Sequence, residues 1–241
     1  MGCKGDYTIR YIDKSYQEAA LIDPPIAILP LGSFEQHGPH LPLGTDIYIV
    51  EALAEGIAER LGAFLLPAQP ITTCYEHHGK IGSVHFSADV FYKFIVNIVE
   101  NMHRKGFNRI VILQGHGGIF ILEPAIRYLN ATYPALAAII VGAEAPPGPD
   151  NPLEPGGIHA DDMETSLMLH LHPELVKMAS AVDFIPEKPR PYLNYGSIFT
   201  LSPSGVWGNA TKATAEKGKW MYDNAVGEAV RKIEALFAAL A

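Results

Sequence analysis

Residues 29–46, LPLGSFEQHGPHLPLGTD, crowd polar side chains into a stretch of Gly and Pro. Glu35 and His37 stand two positions apart, so in extended backbone their side chains leave on the same side. Asp46 follows where helical spacing begins. Two carboxylates and an imidazole on a rigid loop make a donor set suited to a divalent cation. The other reading of Asp46 is that it, or Thr45, caps a helix. In residues 110–118, IVILQGHGG, His116 sits in a glycine-rich turn between a buried strand and a helix. Ligands in open α/β sheets collect at such carboxyl ends of strands. No Lys-Ser/Thr follows and no GxGxxG is present, which speaks against a phosphate-cradling loop.

Two further segments carry titratable groups. In residues 159–166, HADDMETS, Glu164 lies in a helix otherwise built from Met163, Leu167, Met168 and Leu171. A carboxylate that close to a core needs a partner. His159 precedes the helix and can point above the sheet, while Asp161 and Asp162 suit the helix N-terminus. In residues 74–83, CYEHHGKIGS, Glu76, His77 and His78 fall in a polar loop. Cys74 reads as a small packed residue: no base is tied to it by spacing, and no G-x-S-x-G elbow exists. In GVWGNATKATAEKG, residues 205–218, a turn launches the last helix. Trp207 there either lines a pocket or packs.

These side chains need a scaffold. Apolar runs at 26–31, 64–68, 109–114 and 137–141 lack alternation, as expected of strands in a parallel sheet covered on both faces. Helical spacing recurs at 47–61, 90–105, 117–133, 163–171 and 211–240. The alternation predicts a three-layer α/β/α sandwich with a mostly parallel central sheet, read as a single domain over 1–241. The Pro/Gly stretch 145–157 reads as a long loop beside the site.

Composition fits that scaffold. The chain has 241 residues, 48% apolar and 18% charged, enough for a sizeable core and against disorder as the main state. A formal net charge of −8 argues against a nucleic-acid groove. No apolar run approaches the ~18 residues of a membrane span, and residues 1–15 lack an apolar signal core. Only Cys3 and Cys74 are present, so a reducing cytoplasmic setting is expected.

Taken together, the segments resemble the creatininase (creatinine amidohydrolase) family over nearly the whole chain. LPLGSFEQHGPHLPLGTD resembles the family's first metal segment, a long and specific motif. CYEHHGKIGS is similar to its Glu-His loop, with His77 at the family His and Cys74 where Ser is common. QGHGGI resembles Asn-Gly-His-Gly-Gly-Asn, with Gln114 and Ile119 in place of the two Asn. HADDMETS resembles His-Ala-Gly-Glu-x-Glu-Thr-Ser, with Asp161 and Asp162 in place of Gly-Glu. GVWGNATKATAEKG resembles the closing Gly-Val-x-Gly motif.

The resemblance implies a compact layered α/β fold, assembly as a homohexamer and a two-metal amidohydrolase. Glu35, His37, Asp46, His116 and Glu164 would be the ligands, Asp46 bridging two divalent ions (Zn, Mn or Fe). A pair of ions ~3.5–4 Å apart holds a hydroxide and polarises a carbonyl together, with the pKa of bound water near ~7. That hydroxide would cleave the C–N bond of a small non-protein amide, cyclic ones included. His159 is then the group to pass a proton to the leaving nitrogen or to hold the substrate, with Glu164 beside it in the catalytic set. His77, Asp162 and Trp207 would line the substrate side. The creatinine-cleaving branch has a Tyr-Glu pair after the metal His, where this chain has Gly117 and Gly118; the resemblance then leaves Glu164 to complete the second metal. It equally allows a formamide or a short modified peptide as substrate. A peptidase or maturation factor, or a non-catalytic metal- or ligand-binding member, are the other readings.

Overall fold

The computed structural model describes residues 11–20, 26–142, 144, 146, 148–150 and 151–240; Cys3 and most of the N-terminal stretch lie outside the described residues. A short helix α1 (Tyr16–Ala20) precedes strand β1 (Ala27–Leu31), helix α2 (Thr45–Leu61) and strand β2 (Phe64–Leu65). Then come α3 (Ala88–Arg104), β3 (Arg109–Gln114), α4 (Leu122–Thr132) and β4 (Ala137–Gly142). After a long connection follow α5 (Asp162–Leu171), the two-residue strands β5 (Asp183–Phe184) and β6 (Gly208–Asn209), and α6 (Ala215–Ala239).

The main sheet has the order β2-β1-β3-β4 and every pairing in it is parallel. Parallel strands bury both faces, which explains their continuous apolar runs. Ile28, Val111, Leu113, Ile139 and Val141 join a core with α2, α5 and α6. Ala27, Leu29, Leu31, Ile110, Ile112 and Ala138 face the other way, into a second core with α3 and α4. Each apolar strand residue alternates between the two cores as the pleat requires. The result is the three-layer α/β/α sandwich expected.

Several boundaries differ from the sequence reading. β2 stops at Leu65 rather than residue 68; Pro67 has no N–H to continue the ladder, and contact with β1 resumes only as a bridge between Leu31 and Gln69. α4 begins at Leu122 rather than 117, because Gly117 and Gly118 belong to the turn that carries His116. α6 begins at Ala215 rather than 211, capped by Thr214, whose Oγ1 accepts from Lys217 N at 3.2 Å. The antiparallel β5–β6 pair is too short to leave a periodicity in the sequence. No helix among the described residues is long and apolar enough to cross a membrane.

α5 and α6 cross with almost no gap. A Cβ built on Gly218 would stand 1.8 Å from the carbonyl oxygen of Ser166, so only glycine permits this approach. α6 thereby holds α5 against the end of the sheet, and α5 carries Glu164 in its first turn.

Candidate metal centre

Four pieces of backbone meet at the carboxyl ends of β1 and β3. β1 runs into the loop that carries Glu35 and His37, and the loop closes with Glu35 N donating to Leu43 O at 3.0 Å. Asp46 lies in the first turn of α2. It does not cap that helix: Gly44 occupies the cap, with no side-chain cap bond. His116 sits just past β3, where Gly115 N donates to Leu31 O at 2.8 Å and so ties the two strand tips together. His159 and Glu164 arrive from the start of α5. Between them Ala160 has φ +47°, the only non-glycine residue with positive φ among the described residues. Strain of this kind persists only where surrounding structure over-determines it; here Ala160 N donates to Glu164 Oε2 at 2.5 Å.

The side chains are buried and face one another. His37 Nδ1 donates to Glu35 O at 3.1 Å, which orients the ring so that Nε2 faces the centre. That Nε2 lies 3.2 Å from Asp46 Oδ1 and 3.7 Å from Glu164 Oε2. His116 Nδ1 is 3.2 Å from Asp46 Oδ2, and its Nε2 is 3.2 Å from Glu35 Oε2. Ser33 Oγ donates to Glu35 Oε2 at 2.6 Å and steers that carboxylate. Three triads have donor atoms within 4.8 Å of one another: Glu35–Asp46–His116, His37–Asp46–Glu164 and Glu35–His37–His159. The first two share Asp46, whose two oxygens face different histidines.

Three of these atoms, Glu35 Oε1, Asp46 Oδ2 and His116 Nε2, are buried without a hydrogen bond. Orphaned buried acceptors are costly unless something else satisfies them. The three atoms belong to the three residues of one triad, and that is the fit test for cations: the donor set is of the carboxylate–imidazole type that zinc, manganese and iron accept.

The electrostatics agree. Burial opposes charge on His37, yet Asp46, Glu164 and Glu35 hold its pKa up to about 10. His116 is likewise raised well above the ordinary histidine value against burial, by Glu35, Asp46 and Glu76. Burial works against the Asp46 anion, but His37 and His116 pull its pKa down. Burial, with Asp46 and Asp161, pushes Glu164 up to about 8. The field at the centre is strongly negative and favours cations. His159 is the exception: burial and the neighbouring His77 and His37 hold it well below the ordinary value.

The structure brings Glu35, His37, Asp46, His116, His159 and Glu164 to one place. His77 joins them, with Nε2 3.0 Å from Glu35 Oε1 and Nδ1 2.9 Å from Gln36 Nε2. Gln36 also braces His159, whose Nε2 donates to Gln36 O at 2.7 Å; Nδ1 then faces Glu35 Oε1 at 3.7 Å. Asp162 is not brought there. It accepts from Lys217 Nζ and Glu154 N, each at 2.8 Å, and from Ser166 Oγ at 3.2 Å. Asp161 caps α5 by accepting from Glu164 N at 3.0 Å. Trp207 is buried and pairs its backbone with His159, N donating to His159 O at 2.9 Å; it supports the histidine rather than lining a cavity found beside the site. Two further groups belong to the centre that spacing does not mark. Gln36 stands between Glu35 and His37, and nothing in the spacing of Glu76 shows that it reaches His116, at 3.1 Å.

Two cavities flank the centre. One of about 450 Å³ is lined by Asp46, His116 and Glu164. The other, about 520 Å³, is lined by Tyr75, Glu76, Gly118, Phe120 and Asn194. Gly117 and Arg190 line both.

Comparison with known proteins places this geometry. The family model described as "Creatininase: Creatinine amidohydrolase" matches residues 13–233. A 3-dehydro-scyllo-inosose hydrolase of Thermotoga maritima is 32% identical over 243 residues, covering 88% of this chain and 76% of that protein. A mycofactocin precursor peptide peptidase of Mycobacterium ulcerans is 31% identical, covering 87% and 84%. A creatinine amidohydrolase of Pseudomonas putida is 27% identical, covering 91% and 94%. Among solved structures, a putative creatinine amidohydrolase from Bacteroides fragilis superposes with a TM-score of 0.80 at 28% identity, covering 93% and 94%. A mutant creatininase of Zn-Zn type gives a TM-score of 0.80 at 23% identity, covering 92% and 96%. With a family model spanning most of its length and relatives above 30% identity, the chain belongs to the creatininase family.

Proposed function

We propose that this protein is a metal-dependent amidohydrolase, a single catalytic unit that cleaves a C–N bond of a small non-protein amide. The observation that carries this reading is the buried triad Glu35–Asp46–His116 at the carboxyl end of a parallel sheet, with donor atoms within 4.8 Å of one another and a buried, hydrogen-bond-free atom on each residue. Glu35, Asp46 and His116 would hold one divalent cation and His37, Asp46 and Glu164 the other, with Asp46 common to both. When bound there, such cations supply Lewis acidity that readies water and polarises an amide carbonyl. Zinc and manganese suit the donors, as does iron.

The remaining steps fall to the chain's own groups. His159 is kept neutral by burial and by His77. Its Nε2–H is committed to Gln36 O, so Nδ1 is the atom able to take a proton and return it to the leaving nitrogen. Glu164 stands beside His159 in the catalytic set, its Oε2 accepting from Ala160 N at 2.5 Å. The paired cavities give room for a small substrate, and Arg190 offers a planar donor fork at the point where they meet. We place the enzyme in the cytoplasm as a homohexamer, on the strength of the cysteine usage and the family resemblance.

A second reading has an observation of its own: the peptidase relative is as similar to this chain as the small-molecule hydrolases are. A short modified peptide would use the same centre. The test is a panel of cyclic amides, formamides and short C-terminally modified peptides, offered to protein loaded with Zn²⁺ or Mn²⁺. Turnover of a small amide is expected. Turnover confined to peptides moves the assignment to the second reading, and fewer than one metal per chain after loading removes both.

A further inference from the structure

We propose that Glu76 is a metal ligand, the fourth protein donor of the cation site formed by Glu35, Asp46 and His116. Glu76 lies in the 3-10 turn Tyr75–His77, far in sequence from the other three. Its Oε1 is 3.1 Å from His116 Nε2, and Glu35 Oε2 is 3.2 Å from the same nitrogen. A ring nitrogen carries at most one proton, so it can serve two carboxylates only through a single shared, weakened bond. Here it serves neither: His116 Nε2 is buried and has no aligned hydrogen bond. Two carboxylate oxygens closing on a buried nitrogen that donates to neither is the arrangement of donors around a shared cation.

The space for Glu76 is made by one residue. A Cβ built on Gly118 would stand 1.7 Å from Glu76 Oε1 and 2.4 Å from His116 Nε2. Any side chain at position 118 would expel this carboxylate. The turn is pinned as well: Thr73 Oγ1 donates to Gly118 O at 3.1 Å, and His77, one residue on, contacts Glu35. Glu76 is thus delivered to the centre by the same short loop that delivers His77.

The consequence is an uneven pair of sites. Glu35, Asp46 and His116 form one buried triad and His37, Asp46 and Glu164 the other; with Glu76 reaching His116 at 3.1 Å, the first ion would have four protein donors and the second three. A closed set of four holds an ion for structure, and a set of three leaves a position open for water or substrate. Charge also closes: four carboxylates from Glu35, Asp46, Glu76 and Glu164 balance two divalent ions when the histidines are neutral.

The inference rests on the metal reading above, and the experiment separates the two. Wild-type protein and Glu76→Gln are loaded with Zn²⁺, dialysed, and assayed for bound metal; both are then titrated with Co²⁺ and followed by visible absorption. Wild type is expected to keep two ions per chain. Glu76→Gln is expected to keep one, to bind the second at least about tenfold more weakly, and to lose the Co²⁺ bands of one site. Glu76→Asp, which keeps the charge on a shorter arm, gives the same reading if the amide variant does not fold. Two ions at wild-type affinity would overturn the ligand assignment. So would weaker binding with unchanged Co²⁺ bands, since Glu76 would then act through His116. A wild type that binds no metal would overturn the metal reading itself.

Discussion

His116 meets Glu35, Asp46 and Glu76 through its two nitrogens. His116→Ala is therefore expected to abolish turnover of any substrate found. The loss should exceed the 10–100-fold typical of groups that only orient a ligand; kcat measured on Zn²⁺-loaded variant checks it, and unchanged kcat would take His116 out of the site. Glu164 invites a different test. Its carboxyl is raised to about 8 by burial, Asp46 and Asp161, so the folded state favours the protonated form. In metal-free protein its contribution to stability is full below the unfolded value near 4.5 and is lost as pH rises through about 8. Glu164→Gln removes that loss. The metal-free variant is expected to melt at or above wild type at pH 8.5 while holding one metal more weakly; a variant that simply unfolds would make Glu164 structural. At this scale the sequence was most informative where chemistry was dense. Glu35, His37, Asp46, His116 and Glu164 stand out because charged groups in Gly-rich or apolar surroundings demand partners. Asp162 misled because an acid at a helix start looks the same whether it faces a site or Lys217, and only the crossing of α5 with α6 decides.

Elements carry the precision that those residues need. Gly218 is the sharpest case, because its hydrogen faces the Ser166 carbonyl where α6 crosses α5. Gly218→Ala forces a backbone shift at that crossing, and overpacking of this kind costs about 1–3 kcal/mol, occasionally more. The expected result is a lower Tm and, because α5 carries Glu164, weaker retention of any ion bound by His37, Asp46 and Glu164. Chemical denaturation together with metal content after dialysis reads both; an unchanged Tm would mean the helices have slack there. The strands and long helices were legible from apolar runs and helical spacing. Their ends were less so, since they depend on backbone hydrogen bonds: Pro67 ends β2, and the glycines after His116 delay α4 to Leu122. Nothing local in the sequence could announce the two-residue pair β5–β6 or the bridge between His159 and Trp207.

At the scale of the whole molecule, metal and fold are linked. Without cations the cluster keeps buried atoms such as Asp46 Oδ2 and His116 Nε2 without a hydrogen bond, so metal bound to the folded state alone would stabilise it by mass action, about 4 kcal/mol at a thousand times Kd. Chelation is expected to lower Tm, and Zn²⁺ or Mn²⁺ to restore it in a concentration-dependent way; a Tm indifferent to both would contradict a metal centre in the core. The layer architecture followed from the strand–helix alternation, but the order β2-β1-β3-β4 did not. It sets β1 beside β3, and that adjacency, not any spacing along the chain, brings Glu35 next to His116.

Gly115 N bonded to Leu31 O makes the tips of two strands one rigid ledge, and the most buried donors hang from it. The walls around that ledge come from elsewhere, from the turn at Tyr75 and the stretch near Arg190. Reactivity and selectivity are therefore inherited separately. Loops transplanted from a relative with another appetite are expected to change selectivity while the donor cluster keeps its geometry.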